Sequence, residues 1–379
     1  MLFNRILHIG NSCSGRGVLI VRAAGSVQGS NNVKKGSANI DASRWEKIYP
    51  LEYNTWRAGA GKSEEKAGKP FTMTRAASSS QRIGAACVSC HNTAFVNMYE
   101  KYGGNVVNLT EEELIFEGAE SEGISCYSCH GDHPGELFVS KGYIMEAAQA
   151  GEIDTSDPNL VCAQCHSLVN RAYEEVSGSF REYYQIGAMG DPDVNTWSTL
   201  RAGTNADDVY AWFAAHGEKN PKVITGEMEY QQYRGSVMDN AGVTCGTCHM
   251  EKKTDEEGVQ YTRHEWQGVH ANPAIFGNCI SCHQTEPEEM QRKVLERQAS
   301  YQREMLEVKN TLNEAYTAIA ASDADESVIT QANDLWFEAR FHFCYGQDSS
   351  EGIHSIGNPN TEYCFEKCLK LCRQILDMV

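Results

Sequence analysis

The 379-residue sequence is poor in three features that would each assign it to a familiar class. A transmembrane helix needs about 20 consecutive apolar residues, and no apolar run in this sequence comes near that length, so no membrane span is expected. Basic residues number 33 against 51 acidic ones, and a formal charge of -18 repels phosphate backbones, so no nucleic-acid partner is expected. Hydrophobic residues make up only 41%, yet the aromatic content and the 22% charged residues argue against general disorder. The chain is rich instead in sulfur and imidazole, with 15 Cys and 12 His.

Most of that sulfur follows one spacing, Cys-x-x-Cys-His. The five copies are Cys87, Cys90 and His91; Cys126, Cys129 and His130; Cys162, Cys165 and His166; Cys245, Cys248 and His249; and Cys279, Cys282 and His283. Two thiols at this spacing add to the vinyl groups of a haem, and the next imidazole then binds the iron. Zinc sites need no such adjacent His, and disulfide scaffolds do not repeat one spacing. The sequence therefore predicts five covalent c-type haems, with the five motif histidines as proximal iron ligands.

Five haems predict the architecture and the compartment. The macrocycles would supply much of the buried apolar volume, so we expect a mainly α, haem-packed core with little β structure. Covalent haem attachment takes place in an oxidising compartment, which predicts a periplasmic or extracellular protein. Residues 1–43 are rich in Gly, Ser and Asn and indicate a leader or linker, although Arg22 interrupts their short apolar stretch. Residues 44–286 form the expected pentahaem region.

Residues 287–379 change in character and predict long helices. Apolar positions recur with helical periodicity from Glu288 to Ala321. The break at Ser322–Asp325 offers an N-cap for a second helix to about Phe343, and a third is expected from about Thr361 to Met378. We expect this region to pack on the haems and to form a dimer interface.

The second axial ligand decides whether a haem only transfers electrons or also binds substrate. Seven histidines lie outside the five motifs: His8, His133, His216, His264, His270, His342 and His354. With His8 set aside, six candidates remain for five irons. Full bis-histidine ligation is therefore compatible with the count, and an open iron is not required by it.

Four segments resemble the pentahaem cytochrome c nitrite reductase family. They are Tyr49 to Trp56, Gly242 to Met250, Tyr261 to His264, and Glu351 to His354 after two long helices. The same haem arrangement occurs in octahaem hydroxylamine oxidoreductase-like cytochromes. The resemblance spans about Arg44 to Val379 and implies a homodimer. It also implies that His264 is the distal ligand of the second haem and His354 that of the fourth.

The sequence departs from that family around the first haem. The proximal ligand is His91, where most members have Lys. The expected Tyr and calcium-binding Glu after the third motif are replaced by Ser167 to Asn170, and an expected Lys-x-Gln-His stretch by Val223 to Glu229. We therefore expect no calcium. Met238 replaces a distal histidine and is either a ligand of the fifth iron or a core residue.

For the remaining haems, several residues are candidates for the distal iron ligand. The histidine that would cap the third haem is missing from residues 62–82, so His133, Met73 or a non-equivalent histidine must substitute. His216, His270 and His342 are the further distal candidates.

Two functions are therefore open. The first is an exported electron carrier, whose partners are a redox donor or acceptor such as a membrane-anchored quinol-oxidising cytochrome. The second is an enzyme acting on nitrite or hydroxylamine at the first haem, with Arg75, Arg82 and His133 as candidate catalytic residues. A cytochrome filament is a third alternative, based on haem content alone.

Five cysteines remain outside the motifs: Cys13, Cys344, Cys364, Cys368 and Cys372. The last three recur every four residues on one helical face, and in an exported protein we expect Cys344 to form a disulfide with one of them. The alternatives are free thiols or a metal site. Tyr363 resembles in position the tyrosines that cross-link to the catalytic haem in hydroxylamine oxidoreductases.

Overall fold

The computed structural model shows a mainly helical chain, as the haem motifs predict. It describes residues 46–47, 49–59, 85–118, 124, 126–130, 137, 139, 141–151, 153–154, 156–167, 169–170, 225–226, 228–264, 273–348, 350 and 352–379. None of the helices in these ranges is both long and apolar enough to cross a bilayer. The proposed leader, residues 1–43, lies outside the described residues.

Short helices make up the part of the chain that carries the five motifs. They are α1 (Pro50–Gly59), α2 (Ala85–His91), α3 (Phe95–Tyr102), α4 (Glu111–Phe116), α5 (Gly142–Gln149), α6 (Leu160–Ala163), α7 (Glu229–Tyr233), α8 (Val237–Asn240), α9 (Cys245–His249) and α10 (Phe276–His283). Three 3₁₀ turns add Gly103–Asn108, Cys126–Ser128 and Pro273–Ile275. Thr110 begins α4 with a capping box, because its hydroxyl accepts from the Glu113 N–H while the Glu113 carboxylate accepts from the Thr110 N–H.

Three long helices follow, close to the predicted positions. They are α11 (Pro287–Ala321), α12 (Glu326–Gly346) and α13 (Pro359–Met378). The predicted break at Ser322–Asp325 is confirmed, with Asp325 at the N-cap position of α12. The three helices share an apolar cluster, and the Trp336 indole N–H crosses it to donate to the Leu312 carbonyl at 3.1 Å.

The predicted disulfide of Cys344 is wrong in this structure. Cys344, Cys364, Cys368 and Cys372 are all buried and form no disulfide. Cys344, Cys368 and Cys372 belong to the apolar cluster shared by the three long helices, and Cys364 packs with Phe341 and Tyr345 of α12. Contact with Cys372, and then burial, raises the pKa of Cys368 far above its ordinary value. Cys368 therefore stays protonated, and the four buried cysteines pack as small apolar residues.

The described strands are very short, which agrees with the expectation of little β structure. Strands β1 (Val169–Asn170) and β2 (Thr225–Gly226) pair antiparallel, as do β3 (Lys252–Thr254) and β4 (Gln260–Thr262). The β3–β4 hairpin ends immediately before His264 and so determines where this histidine lies.

A second apolar cluster joins the long helices to the motif-bearing part of the chain. Phe341 and Tyr345 of α12 are buried in the same cluster as Phe95 and Met98 of α3. Helix α12 therefore supports the region from which the first three motifs project.

Candidate haem-binding centre

All five Cys-x-x-Cys-His motifs lie on helical turns. The fourth and fifth motifs belong to α9 and α10, and the first ends α2. In the second and third motifs the histidine N–H donates to the carbonyl of the first cysteine, from His130 to Cys126 at 2.9 Å and from His166 to Cys162 at 3.0 Å. One helical turn therefore separates each of these histidines from the first cysteine of its motif.

The motif thiols are held in apolar surroundings. Burial raises the pKa of both Cys126 and Cys129 to about 12, and that of Cys248 to about 11. Thiols at such pKa values are protonated and unreactive at neutral pH, which suits sulfur atoms that become uncharged thioethers. Cys282 differs, because it is disulfide-bonded in this structure. Haem attachment at the fifth motif requires this disulfide to be open.

His264 lies opposite the second motif histidine. The ring centroids of His130 and His264 are 6.1 Å apart. The backbone N–H of His264 donates to the Thr55 hydroxyl at 3.0 Å, so α1 fixes the position of this residue. His264 Nδ1 is 2.8 Å from the Thr262 carbonyl. A donor at Nδ1 leaves Nε2 as the lone-pair nitrogen, and burial lowers the pKa of the ring and favours this neutral form.

His354 faces the fourth motif histidine in the same way. The ring centroids of His249 and His354 are also 6.1 Å apart. His354 Nδ1 lies 3.4 Å from Asp348 Oδ1. Burial alone would raise the pKa of Asp348, but contacts with His354 and Ser350 outweigh it and lower the pKa to about 2. The carboxylate is therefore ionised beside the ring.

A short loop is built around Asp348. The backbone N–H groups of Ser350 and Ser355 donate to its two carboxylate oxygens, at 2.7 and 3.0 Å. Gly352 in this loop has φ of +86°, and a Cβ there would come within 2.7 Å of the Tyr301 ring. Only glycine fits, so the loop that presents His354 is tied to α11.

The two imidazole pairs fit a metal ion between their rings. A bond from imidazole nitrogen to a metal is about 2 Å long and the ring centroid lies roughly 1 Å beyond, so two rings on one ion have centroids about 6 Å apart. Both observed separations meet this requirement. Within the described part of the chain, no three His, Cys, Asp or Glu side chains converge to hold a metal by themselves. Each pair of rings is therefore spaced so that two imidazoles could bind one metal ion, as a haem iron would require.

Direct contacts connect the motifs in the order second, first, third, fourth and fifth. The hydroxyls of Thr93 and Ser128 are 2.7 Å apart, and the Sγ atoms of Cys90 and Cys165 each lie 3.8 Å from the carbonyl of the other. The Cys245 N–H donates to Asn159 Oδ1 at 2.9 Å. Asn278 Nδ2 donates to the Thr247 carbonyl at 2.7 Å. The five attachment sites thus form one continuous hydrogen-bonded unit.

The sequence patterns did not single out the residues that make these connections. Asn159 lies three residues before Cys162, and Asn278 immediately precedes Cys279. An asparagine shortly ahead of a motif is the one sequence signal available for both. Gln164 was also missed. It lies inside the third motif and donates through Nε2 to the Ser128 carbonyl of the second motif at 2.9 Å.

Several predicted site residues lie elsewhere or outside the described part. His342 is fully buried on α12 with its ring 6.1 Å from that of Tyr363. Met238 is half-buried on α8. His166 is exposed, and its Nδ1 lies 3.5 Å from Glu229 Oε2. Other residues considered in the sequence analysis lie outside the described part of the chain. They are His8, Met73, Arg75, Arg82, His133, His216, His270 and Cys13, together with the side chains of Cys87 and His91.

The two segments that depart from the nitrite reductase pattern are neighbours in space. Val169 pairs with Gly226 and Asn170 with Thr225 in the β1–β2 ladder. The Ser167 hydroxyl donates to the Ala163 carbonyl, and the Tyr230 N–H donates to the His166 carbonyl at 2.9 Å. Both departures therefore fall in one place, next to the third motif.

Comparison with known proteins agrees with this geometry. Residues 70–362 match the family described as cytochrome c552. Cytochrome c-552 of Maridesulfovibrio salexigens is 22% identical over 314 residues, which are 70% of this chain and 60% of that protein. Cytochrome c-552 of Parabacteroides distasonis is 26% identical over 260 residues, 65% of this chain and 45% of that protein. The chain thus spans less than two thirds of these curated relatives.

A solved structure shares the fold. The catalytic subunit of cytochrome c nitrite reductase from Desulfovibrio desulfuricans, described with two calcium sites, superposes with a TM-score of 0.70 at 15% identity. The superposition covers 89% of this chain and 86% of that one.

Proposed function

Because this chain belongs to the cytochrome c552 family, we propose that it is an exported pentahaem cytochrome that passes electrons between redox partners. Multihaem electron transfer of the nitrite-reductase-like type is common to the family and to the shared fold. The five haems, the export and the absence of a catalytic iron are the specific parts of the proposal. We also propose that residues 44–286 hold the haems and that residues 287–379 support them.

The residues that would hold each haem are those of the five motifs. Each pair of thiols would form the covalent links, and His91, His130, His166, His249 and His283 would be the proximal ligands. His264 and His354 would close the second and fourth irons. When bound, haem c supplies a one-electron iron couple, and two axial imidazoles keep such an iron six-coordinate.

One observation carries the proposal, namely the continuous set of contacts between the motifs. Adjacent motifs touch through Thr93 and Ser128, through Cys90 and Cys165, and through Asn159 and Cys245, with Asn278 making the last link. Cofactors attached to touching segments must lie near one another. The chain's own residues would thus hold the proposed haems close to one another, which electron transfer between them requires.

The place where the sequence departs from the family pattern favours electron transfer over catalysis. Reduction of nitrite needs groups that donate protons and stabilise charge beside one open iron. Ser167 Oγ is bonded to a backbone carbonyl, and the adjoining backbone is paired in the β1–β2 ladder. We therefore propose that neither the catalytic nor the calcium-binding residues of nitrite reductases have equivalents here.

Electron paramagnetic resonance of the oxidised protein tests this proposal against the enzymatic alternative. We expect only low-spin ferric signals, unchanged by nitrite, hydroxylamine or cyanide, because the proposed electron carrier would give every iron two protein ligands. A high-spin signal that nitrite alters would instead identify an open iron at the first haem, and Arg75, Arg82 and His133 would become the residues to replace.

We propose that the outer face of α11 binds a second copy of this chain to form a homodimer. Leu295 and Leu306 are about half exposed there and lie eleven residues apart, which is three helical turns, so they share one side of the helix. Sedimentation should show a dimer for the wild-type protein and a monomer for Leu306→Glu. A wild-type monomer at micromolar concentration would contradict the proposed dimer.

The redox partner is expected to present a basic docking patch. This chain has a formal charge of -18, so it attracts a partner with a basic surface and steers that partner's approach. A membrane-anchored quinol-oxidising cytochrome is the proposed donor. The rate of association should fall as salt is added, because added ions screen this attraction.

A further inference from the structure

Lys141 is a buried cation at the junction of the second and third motifs. Only 2% of the residue is exposed, and Nζ lies 5.2 Å from the centroid of the Phe95 ring. The Lys141 N–H donates to Gln164 Oε1 at 3.2 Å, and Gln164 Nε2 donates to the Ser128 carbonyl at 2.9 Å. Gln164 and Ser128 are the interior residues of two motifs, so the backbone of Lys141 is fixed against both.

Gln164 and Ser128 directly precede Cys165 and Cys129 in the sequence. The contacts of Lys141 therefore place this residue close to one attachment cysteine of the third motif and one of the second.

This position is unfavourable for a lysine on three counts. Burial of an ammonium costs free energy unless a counter-charge compensates for it. Among the described residues no carboxylate lies within ion-pair distance of Lys141, and its described cation contact is the Phe95 ring. Lys141 is also the N-cap residue of α5, where the helix dipole disfavours a cation and where its side chain makes no capping hydrogen bond. Local stability does not explain why a lysine is placed here.

The backbone around Lys141 is built to keep this position. A Cβ on Gly142 would come within 2.4 Å of the Tyr99 ring, so α5 starts in direct contact with α3. Tyr99 then donates from its hydroxyl to Glu146 Oε2 at 2.8 Å, one turn further along α5. The start of α5, and Lys141 with it, is thereby held against the helix that follows the first motif.

We infer that Lys141 is a redox-tuning residue that raises the reduction potentials of the haems on the second and third motifs. A ferric iron loses one positive charge on reduction, so a fixed cation nearby favours the ferrous form. The effect is large in a poorly polarisable interior. Electrons entering the chain of five centres would therefore reside preferentially at this pair. The inference rests on the proposed haem content.

The experiment is a spectroelectrochemical titration of the holoprotein carrying Lys141→Met. Two of the midpoint potentials should fall, and at fixed potential the ratio of oxidised to reduced haem should rise about tenfold at those sites, which is 59 mV for one electron. Lys141→Arg should keep the wild-type potentials because it keeps the charge. Lys293→Met is the matched surface control, since the Lys293 side chain is 54% exposed, and it should change nothing.

Covalent haem content measured on the same samples separates the two claims. A wild-type protein without covalent haem would overturn the proposed function. Unchanged midpoint potentials in a Lys141→Met protein with full haem content would overturn the role of Lys141 alone. If Lys141→Met does not accumulate, Lys141→Gln must show the same fall in two potentials, and its failure to do so would equally overturn the inference.

Discussion

Replacement of His264 by alanine is expected to convert one iron of the protein from six-coordinate low-spin to high-spin. The ring centroid of His264 lies 6.1 Å from that of His130, and its Nδ1 is occupied by the Thr262 carbonyl, so Nε2 is the nitrogen available to an iron between them. No other ligand would replace it at once, since α1 and the β3–β4 hairpin hold the surrounding backbone in place. The reduced variant should bind one carbon monoxide per chain, where the wild type binds none.

The controls for this variant come from the same hairpin. Thr262→Ala keeps the backbone carbonyl that accepts from His264 and should leave the spectrum unchanged. Added imidazole should restore the low-spin spectrum of His264→Ala, because it enters the space that the side chain vacates. A low-spin spectrum in the variant without added imidazole would show that His264 is not an axial ligand.

Replacement of Phe341 by alanine should destabilise the protein by about 3–5 kcal/mol, the usual cost of deleting a fully buried phenylalanine ring. Phe341 is 0% exposed, and its ring centroid lies 6.1 Å from that of Tyr345. The cavity would open in the cluster that joins α12 to α3, beneath the first three motifs. Denaturant unfolding followed by circular dichroism measures the change.

Phe116 supplies the matched control for this prediction. It is the same residue type but is 86% exposed at the end of α4, so Phe116→Ala should change the free energy of unfolding by no more than about 0.5 kcal/mol. Equal shifts of the two unfolding midpoints would contradict the assignment of Phe341 to the core.

The sequence predicted those features that arise from local patterns. Helix α11 was expected to begin at Glu288 and begins at Pro287, because its apolar stripe and the break after Ala321 are properties of neighbouring residues. The attachment motifs are equally local. His264 and His354 required the family resemblance, because a distal ligand reaches its iron from a distant part of the chain.

The features that were missed depend on contacts between distant residues. Asn159 and Cys245 are 86 positions apart, and no periodicity or spacing connects them. The burial of Lys141 could not be predicted for the same reason. It depends on the packing of the second and third motifs and of α3, which follows the first motif. The error at Cys344 has a related cause: its presence opposite three cysteines suggested a disulfide, but the four cysteines pack between the helices without forming one.

The intact mass of the purified protein, measured under denaturing conditions, tests the central claim most directly. We predict the polypeptide mass plus five haems, with one haem lost for each motif whose two cysteines are changed to serine. A mass without covalent haem, or with fewer than five in the wild-type protein, would contradict a pentahaem electron-transfer chain.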